Sequence, residues 1–187
     1  MIVVPLHVST DRPRKTSSDW KSFHGNVEEP TPSNAPEPRG KDVDLRLYVD
    51  SDHAGEKRTR RSRSGFFVFM NTALVQWFSK QQATIETSVF GAEFVAMKIG
   101  MESLRRLCYT LCMMGVGISG PSYIYGNNML VIYNTQRPES MLKKKSNSTC
   151  YQAICESVAM GKSLTGRIGT NKNAGDLANK LLYGQKQ

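Results

Sequence analysis

Acidic residues are in short supply in this chain: 16 Asp and Glu stand against 25 Lys and Arg in 187 residues, a formal charge of +9. That imbalance disfavours an acidic small molecule as ligand and favours a polyanion such as nucleic acid. Cysteine is also scarce, with Cys108, Cys112, Cys150 and Cys155 spaced i,i+4 and i,i+5 in two apolar helical stretches. Without C-x-x-C pairs, and with only three histidines that do not cluster, structural zinc is excluded and reduced, buried thiols are expected. No apolar run approaches the ~20 residues of a membrane span, and MIVVPL is too short for a signal-peptide core and is followed by polar sequence that includes Asp11. The expectation is a soluble intracellular protein that is not secreted and has no membrane partner.

Proline is nearly absent from the later part of the chain, because Pro5, Pro13, Pro30, Pro32, Pro36 and Pro38 account for six of the eight. Residues 1–43 are otherwise rich in Ser, Lys and Glu, a composition that does not build a packed core. They read as a poorly ordered linker or connection, with residues 44–183 as one compact domain and 184–187 as a tail. A hydrophobic content of 39% is enough for that domain to have a core.

Within the domain, LRLYVDSD, SGFFVFMN and ALVQWFSK are short runs rich in branched and aromatic residues. A basic loop joins the first two and a tight turn at Asn71-Thr72 joins the last two, which predicts an antiparallel meander. Thr87 or Ser88 then caps a long helix in which Phe90, Phe94, Met97, Met101, Leu104, Cys108 and Leu111 form a core-facing stripe ending near Gly115. A strand at SYIY, a helix over about 128–135, a second from about Ser148 to Gly161, a strand near LTGRI and a last helix in AGDLANKLL follow. Strands in a meander and then alternating with helices give an α/β domain with a five-stranded mixed sheet.

Four acids occupy positions that invite chemistry. Asp50 and Asp52 lie on one side of the first strand end, where two carboxylates repel unless a cation or base sits between them. Glu93 falls on or beside the apolar stripe of the long helix, where an unpaired charge is costly. Asp176 opens the last helix in N-A-G-D-L. Taken singly, each also has a plain explanation as a solvated strand end, a first-turn acid or a cap.

Together, the motifs YVDSDHAG, RRSRSGF, QWFSKQQ, ETSVFGAEFVAMK, IYGNN and NKNAGDLANKLL, in that order and spacing, resemble the ribonuclease H domain of copia-type LTR retrotransposon polyproteins over roughly residues 44–183. The upstream DWKSFHGNVEEPTPSNAPEPRGK is similar to the connection that follows the reverse transcriptase in such polyproteins. The resemblance implies a ribonuclease H-like fold that cuts the RNA strand of RNA–DNA hybrids, with two Mg²⁺ ions (Mn²⁺ as an alternative) held by four carboxylates. It also implies a reverse transcriptase portion of the same polyprotein as partner, and a location in the cytoplasm or in virus-like particles.

Matched position by position, Asp50, Glu93 and Asp176 fall on the first, second and fourth carboxylates. The third, the Asp of a Y-x-D-N pattern, is Asn127 in Y-G-N-N. An amide oxygen still coordinates a hard cation but brings no charge, so the second ion is expected to bind weakly and turnover to be weak or absent. Gln152 stands where the family suggests His, and Lys172 and Ala174 where it suggests an acid and a Pro. Asp52 belongs to the family's D-x-D-x-A-G pattern and does not compensate for Asn127.

The loop from Lys57 to Arg63 carries five positive charges, among them Arg58, Arg60, Arg61 and Arg63. With Lys80 and the run Lys143, Lys144 and Lys145, it is the expected phosphate-contacting track for an RNA–DNA hybrid. His53 is more simply a loop residue than a ligand or base. Three functions fit the sequence: an impaired hybrid-cutting nuclease, a non-catalytic nucleic-acid-binding remnant, and an unrelated basic interaction domain whose acids are caps.

Overall fold

A computed structural model describes residues 36–137 and 145–180. The strands are β1 (Leu45–Asp52), β2 (Arg63–Met70), β3 (Ala73–Gln81), β4 (Ser122–Gly126) and β5 (Ser163–Arg167). The helices are α1 (Val89–Met113), α2 (Met129–Gln136), α3 (Lys145–Ala159) and α4 (Gly175–Lys180), with a 3₁₀ turn at Thr170–Lys172 before the last. The strand order is β3-β2-β1-β4-β5. β1, β2 and β3 pair antiparallel, and β4 and β5 join parallel, giving the expected mixed sheet.

Period-two patterning sets the register. Leu45, Leu47 and Val49 of β1 lie on the same side as Phe66 and Val68 of β2, and all five are at most 1% exposed. Asn71 turns β2 into β3 at φ +55°, a left-handed conformation that Asn tolerates, and its side-chain oxygen accepts from the Asp44 amide. The ladder of backbone bonds reaches back past Asp44: Arg39 N–H donates to Gly115 O and Val43 N–H to Gly117 O.

α1 lays its stripe on this apolar face. Phe94, Met97, Met101 and Leu104 are buried against the strands, while Phe90 and Cys108 are half-buried at its margin. Each full burial contributes about 1.5–3 kcal/mol. Ser88, one of the two residues expected to cap this helix, does so by accepting from the Gly91 amide at 3.1 Å. α3 backs α1 through Tyr151 and Ile154. It begins at Lys145, three residues earlier than the sequence suggests, so Lys145 belongs to a helix rather than to the lysine-rich connection. All four cysteines are free thiols and half-buried, less enclosed than expected.

α4 covers the other face at the end of β1 and β2. The fit is close: a Cβ on Gly175 would come within 2.8 Å of the Val49 carbonyl carbon, and one on Gly65 within 2.7 Å of the Ala178 methyl. Glycine at these two points lets the last helix sit directly on the strand backbones. No helix among the described residues is long and apolar enough to cross a membrane. The linker assigned to residues 1–43 lies outside the described residues up to position 35, as do Lys143, Lys144 and residues 181–187.

Candidate active site

The ends of three elements and the α4 helix converge on Asp50. β1 carries Asp50 itself, 6% exposed, and β4 ends one residue before Asn127. The two asparagines of Y-G-N-N divide their work. Asn128 caps α2, its Oδ1 accepting from the amides of Leu130 and Val131. Asn127 instead turns to β1, where its Nδ2 donates to Asp50 Oδ1 at 3.0 Å.

α4 adds a second amide. Asn179 Nδ2 donates to Asp50 Oδ2 at 3.1 Å, so both carboxylate oxygens accept from carboxamides. The approach of α4 is fixed by Asn173, 4% exposed, which donates from Nδ2 to the Val49 carbonyl and accepts at Oδ1 from the Gly175 amide. Asp176 follows in the first turn, half-buried, its amide bonded to Asn173 O. Its charge reaches Asp50 and raises the pKa of that carboxyl.

Glu93 comes from the first turns of α1 and is 6% exposed. Burial, reinforced by the nearby charge of Asp50, pushes its carboxyl up to about 8. Burial likewise pushes Asp50 up to about 6, with the Asn179 and Asn127 hydrogen bonds pulling the other way. No Lys or Arg among the described residues forms an ion pair with Asp50 or Glu93. The α1 end that carries Glu93 is held by Gln82, whose Nε2 donates to Ala92 O and to Ser64 Oγ, both at 2.9 Å.

Sequence reasoning named Asp50, Glu93, Asp176 and Asn127, and the fold groups them at one end of the sheet. It missed Asn173, Asn179 and Gln82. Asp52 does not join the group, because its carboxylate folds against Gly55 in the following turn. His53 is tied through Nε2 to the Glu86 carbonyl at 3.1 Å, as a loop-anchoring residue.

The donor set suits a hard divalent cation: oxygen ligands only, and buried acids that lack a counter-charge. Two buried carbonyl oxygens, Asn127 Oδ1 and Asn179 Oδ1, accept no hydrogen bond from the protein beside this carboxylate. As they are oriented, the side chains do not chelate, since no three His, Cys, Asp or Glu among the described residues stand close enough to hold a metal. The acids fit such an ion in charge and kind.

The basic residues lie around the β1–β2 hairpin. Arg58, Arg60 and Arg61 are exposed on it, Arg60 at φ +54°. Arg63 opens β2 opposite Asp52, half-buried, and Lys80 is exposed on β3 opposite Ser64. The hairpin is shaped by the Arg60 amide donating to Glu56 O at 2.7 Å and by Ser62 Oγ, fully buried, accepting from the Ala54 amide. Of the lysine run, Lys145 lies in α3 and the other two outside the described residues.

No family model matches this sequence. Retrovirus-related Pol polyproteins from transposons RE1 and RE2 of Arabidopsis thaliana align over 144 residues at 25% and 26% identity, covering 77% of this chain. The chain spans 10% of the length of each of these relatives. Among solved structures, LC11-RNase H1 in complex with an RNA/DNA hybrid matches at TM-score 0.54 and 16% identity, over 70% of this chain and 88% of that one. The N-terminal RNase H domain of a Mycobacterium tuberculosis protein matches at 0.53 and 11%, over 73% and 96%. A foamy viral protease-reverse transcriptase in complex with an RNA/DNA hybrid matches at 0.51 and 14%, over 83% of this chain and 22% of that one. Sequence and fold agree: the chain is a ribonuclease H-fold domain homologous to part of the retrovirus-related Pol polyproteins of transposons.

Proposed function

We propose that this chain is the ribonuclease H domain of a copia-type retrotransposon polyprotein, descended from an endonuclease for the RNA strand of RNA–DNA hybrids and itself impaired in turnover. One observation carries the reading: at the third carboxylate position Asn127 hydrogen-bonds Asp50 through its amide nitrogen. A side chain that is meant to share a cation with Asp50 here competes for the carboxylate instead.

Asp50, Glu93 and Asp176, with the carbonyl oxygen of Asn127, are the residues that would hold Mg²⁺ or Mn²⁺. A bound pair of such ions supplies an activated water and a stabilised leaving oxygen. The protein's part is to place the acids: Gln82 sets the α1 end carrying Glu93, and Asn173 docks α4 beside Asp50. Arg58, Arg60, Arg61, Arg63 and Lys80 would track the hybrid's phosphates, the arginines through forked hydrogen bonds. A reverse transcriptase portion of the same polyprotein would deliver the hybrid.

A second reading, a non-catalytic nucleic-acid-binding remnant, is supported by the same amides, because they satisfy both oxygens of Asp50 without a cation. The deciding experiment is cleavage of an end-labelled RNA–DNA hybrid in Mg²⁺ or Mn²⁺ by the chain as it stands, by Asn127→Asp and by Asn127→Asp with Asp50→Asn. Cutting that is restored by the first substitution and abolished by the second establishes the impaired nuclease. Hybrid binding without cutting in all three establishes the remnant.

A further inference from the structure

Asn179 has a chemical environment that its place in a short terminal helix does not explain. It is 4% exposed, and its Nδ2 donates to Asp50 Oδ2 at 3.1 Å, matching Asn127 on Oδ1 at 3.0 Å. Its own Oδ1 is buried and accepts no hydrogen bond from the protein. That oxygen faces β2, since a Cβ on Gly65 would come within 2.6 Å of it. The absence of a side chain at position 65 is what makes room for the carboxamide.

A buried carbonyl oxygen left without a donor costs free energy, and two beside one carboxylate cost more. Rotating either carboxamide by about half a turn would exchange nitrogen for oxygen at Asp50. An oxygen against an ionised carboxylate is repulsive unless a cation lies between them. The orientation of these amides is therefore coupled to whether a cation is held at Asp50.

We infer that Asn179, together with Asn127, is a ligand for a divalent cation at Asp50, each carboxamide turning over so that its Oδ1 faces the ion. Asn179 thereby adds an oxygen donor on the side opposite Asn127. The inference rests on the reading above that a hard divalent ion binds at this carboxylate. The chemistry favours Mg²⁺ or Mn²⁺ over zinc, because carboxylate and carbonyl oxygens are hard ligands.

The test uses the full chain and reads binding rather than turnover. Side-chain amide resonances of Asn179 and Asn127 are followed by ¹H–¹⁵N spectroscopy during Mg²⁺ titration, and Mn²⁺ affinity is measured by calorimetry for the chain, Asn179→Asp and Asn179→Leu. Both amide pairs are expected to shift saturably. Asn179→Asp should tighten Mn²⁺ binding at least tenfold, and Asn179→Leu should weaken it by a similar factor. Should the Leu variant not fold, the spectra and the Asp variant decide alone. Unmoved Asn179 resonances with equal Mn²⁺ affinity in the chain and its variants would overturn the role of Asn179 and leave the metal reading standing. No Mn²⁺ uptake by the unsubstituted chain would overturn both.

Discussion

Asn127 Nδ2 and Asp50 Oδ1 meet at 3.0 Å across the junction of β4 and β1, an amide-to-carboxylate hydrogen bond between two positions 77 residues apart. The bond stabilises the ionised form of Asp50, and it exists only because position 127 is not an acid. Asn127→Asp replaces the donor with a second charge beside Asp50. Without divalent ion the substituted chain should lose about 1–3 kcal/mol of stability at neutral pH, and it should gain more from added Mg²⁺ than the original does. Thermal midpoints of the two chains with and without 10-fold excesses of Mg²⁺ check this, and equal responses would contradict it.

The buried acids give stability a distinctive pH dependence. Burial lifts Glu93 from 4.5 to about 8 and Asp50 from 3.8 to about 6. Because both folded values lie above the unfolded ones, the folded state retains protons that the unfolded chain has released. Stability contributed by these groups is therefore full below about pH 4 and falls as pH rises, through about 6 for Asp50 and about 8 for Glu93. The cumulative loss is on the order of a few kcal/mol. Urea midpoints between pH 5 and 8.5 should decline, Glu93→Gln should flatten the decline, and Mg²⁺ should oppose it at the alkaline end.

Most of the architecture was legible because it is periodic. Leu45, Leu47 and Val49 alternate, Phe94, Met97, Met101 and Leu104 recur at steps of three and four, and Ser88 is a cap adjacent to the helix it caps. Asp50, Glu93, Asn127 and Asp176 were legible only through the joint order of their motifs. Asn173, Asn179 and Gln82 were not, for a physical reason: each is a neutral amide whose partner lies on another element. Asn173 bonds the Val49 carbonyl, Asn179 bonds Asp50, and Gln82 bonds Ala92 O. Such pairings leave no local spacing to read. The start of α3 at Lys145 was missed because a lysine run looks like a solvated loop, although lysine is a good helix former.

The hairpin arginines should matter for binding and little for folding. Arg58, Arg60 and Arg61 are exposed, so replacing all three with Ala removes charge without opening the core. If each neutralises a phosphate of the hybrid, the slope of log K against log salt should become shallower by roughly 2–3. Fluorescence anisotropy of a labelled hybrid across a salt series measures this. An unchanged slope would remove the hairpin from the binding surface while leaving the carboxylate site untouched.

Gly65→Ala probes whether the seating of α4 governs the site. The new methyl would meet Asn179 Oδ1 at 2.6 Å and the Ala178 methyl at 2.7 Å, so the helix must move off the strand. Movement would also strain the Ser79 hydroxyl bond to Ala178 O, which is 2.8 Å long. The expected cost is about 1–3 kcal/mol, read from urea unfolding with an unchanged m-value. Gly169→Ala is the matched control, because nothing lies within 4 Å of its added methyl and its φ of −65° suits alanine; it should stay within about 0.5 kcal/mol of the parent. Displacing α4 also draws Asn179 away from Asp50, so Gly65→Ala should weaken Mn²⁺ binding along with stability. A variant that loses stability but keeps its Mn²⁺ affinity would show that α4 supports the sheet without shaping the carboxylate site.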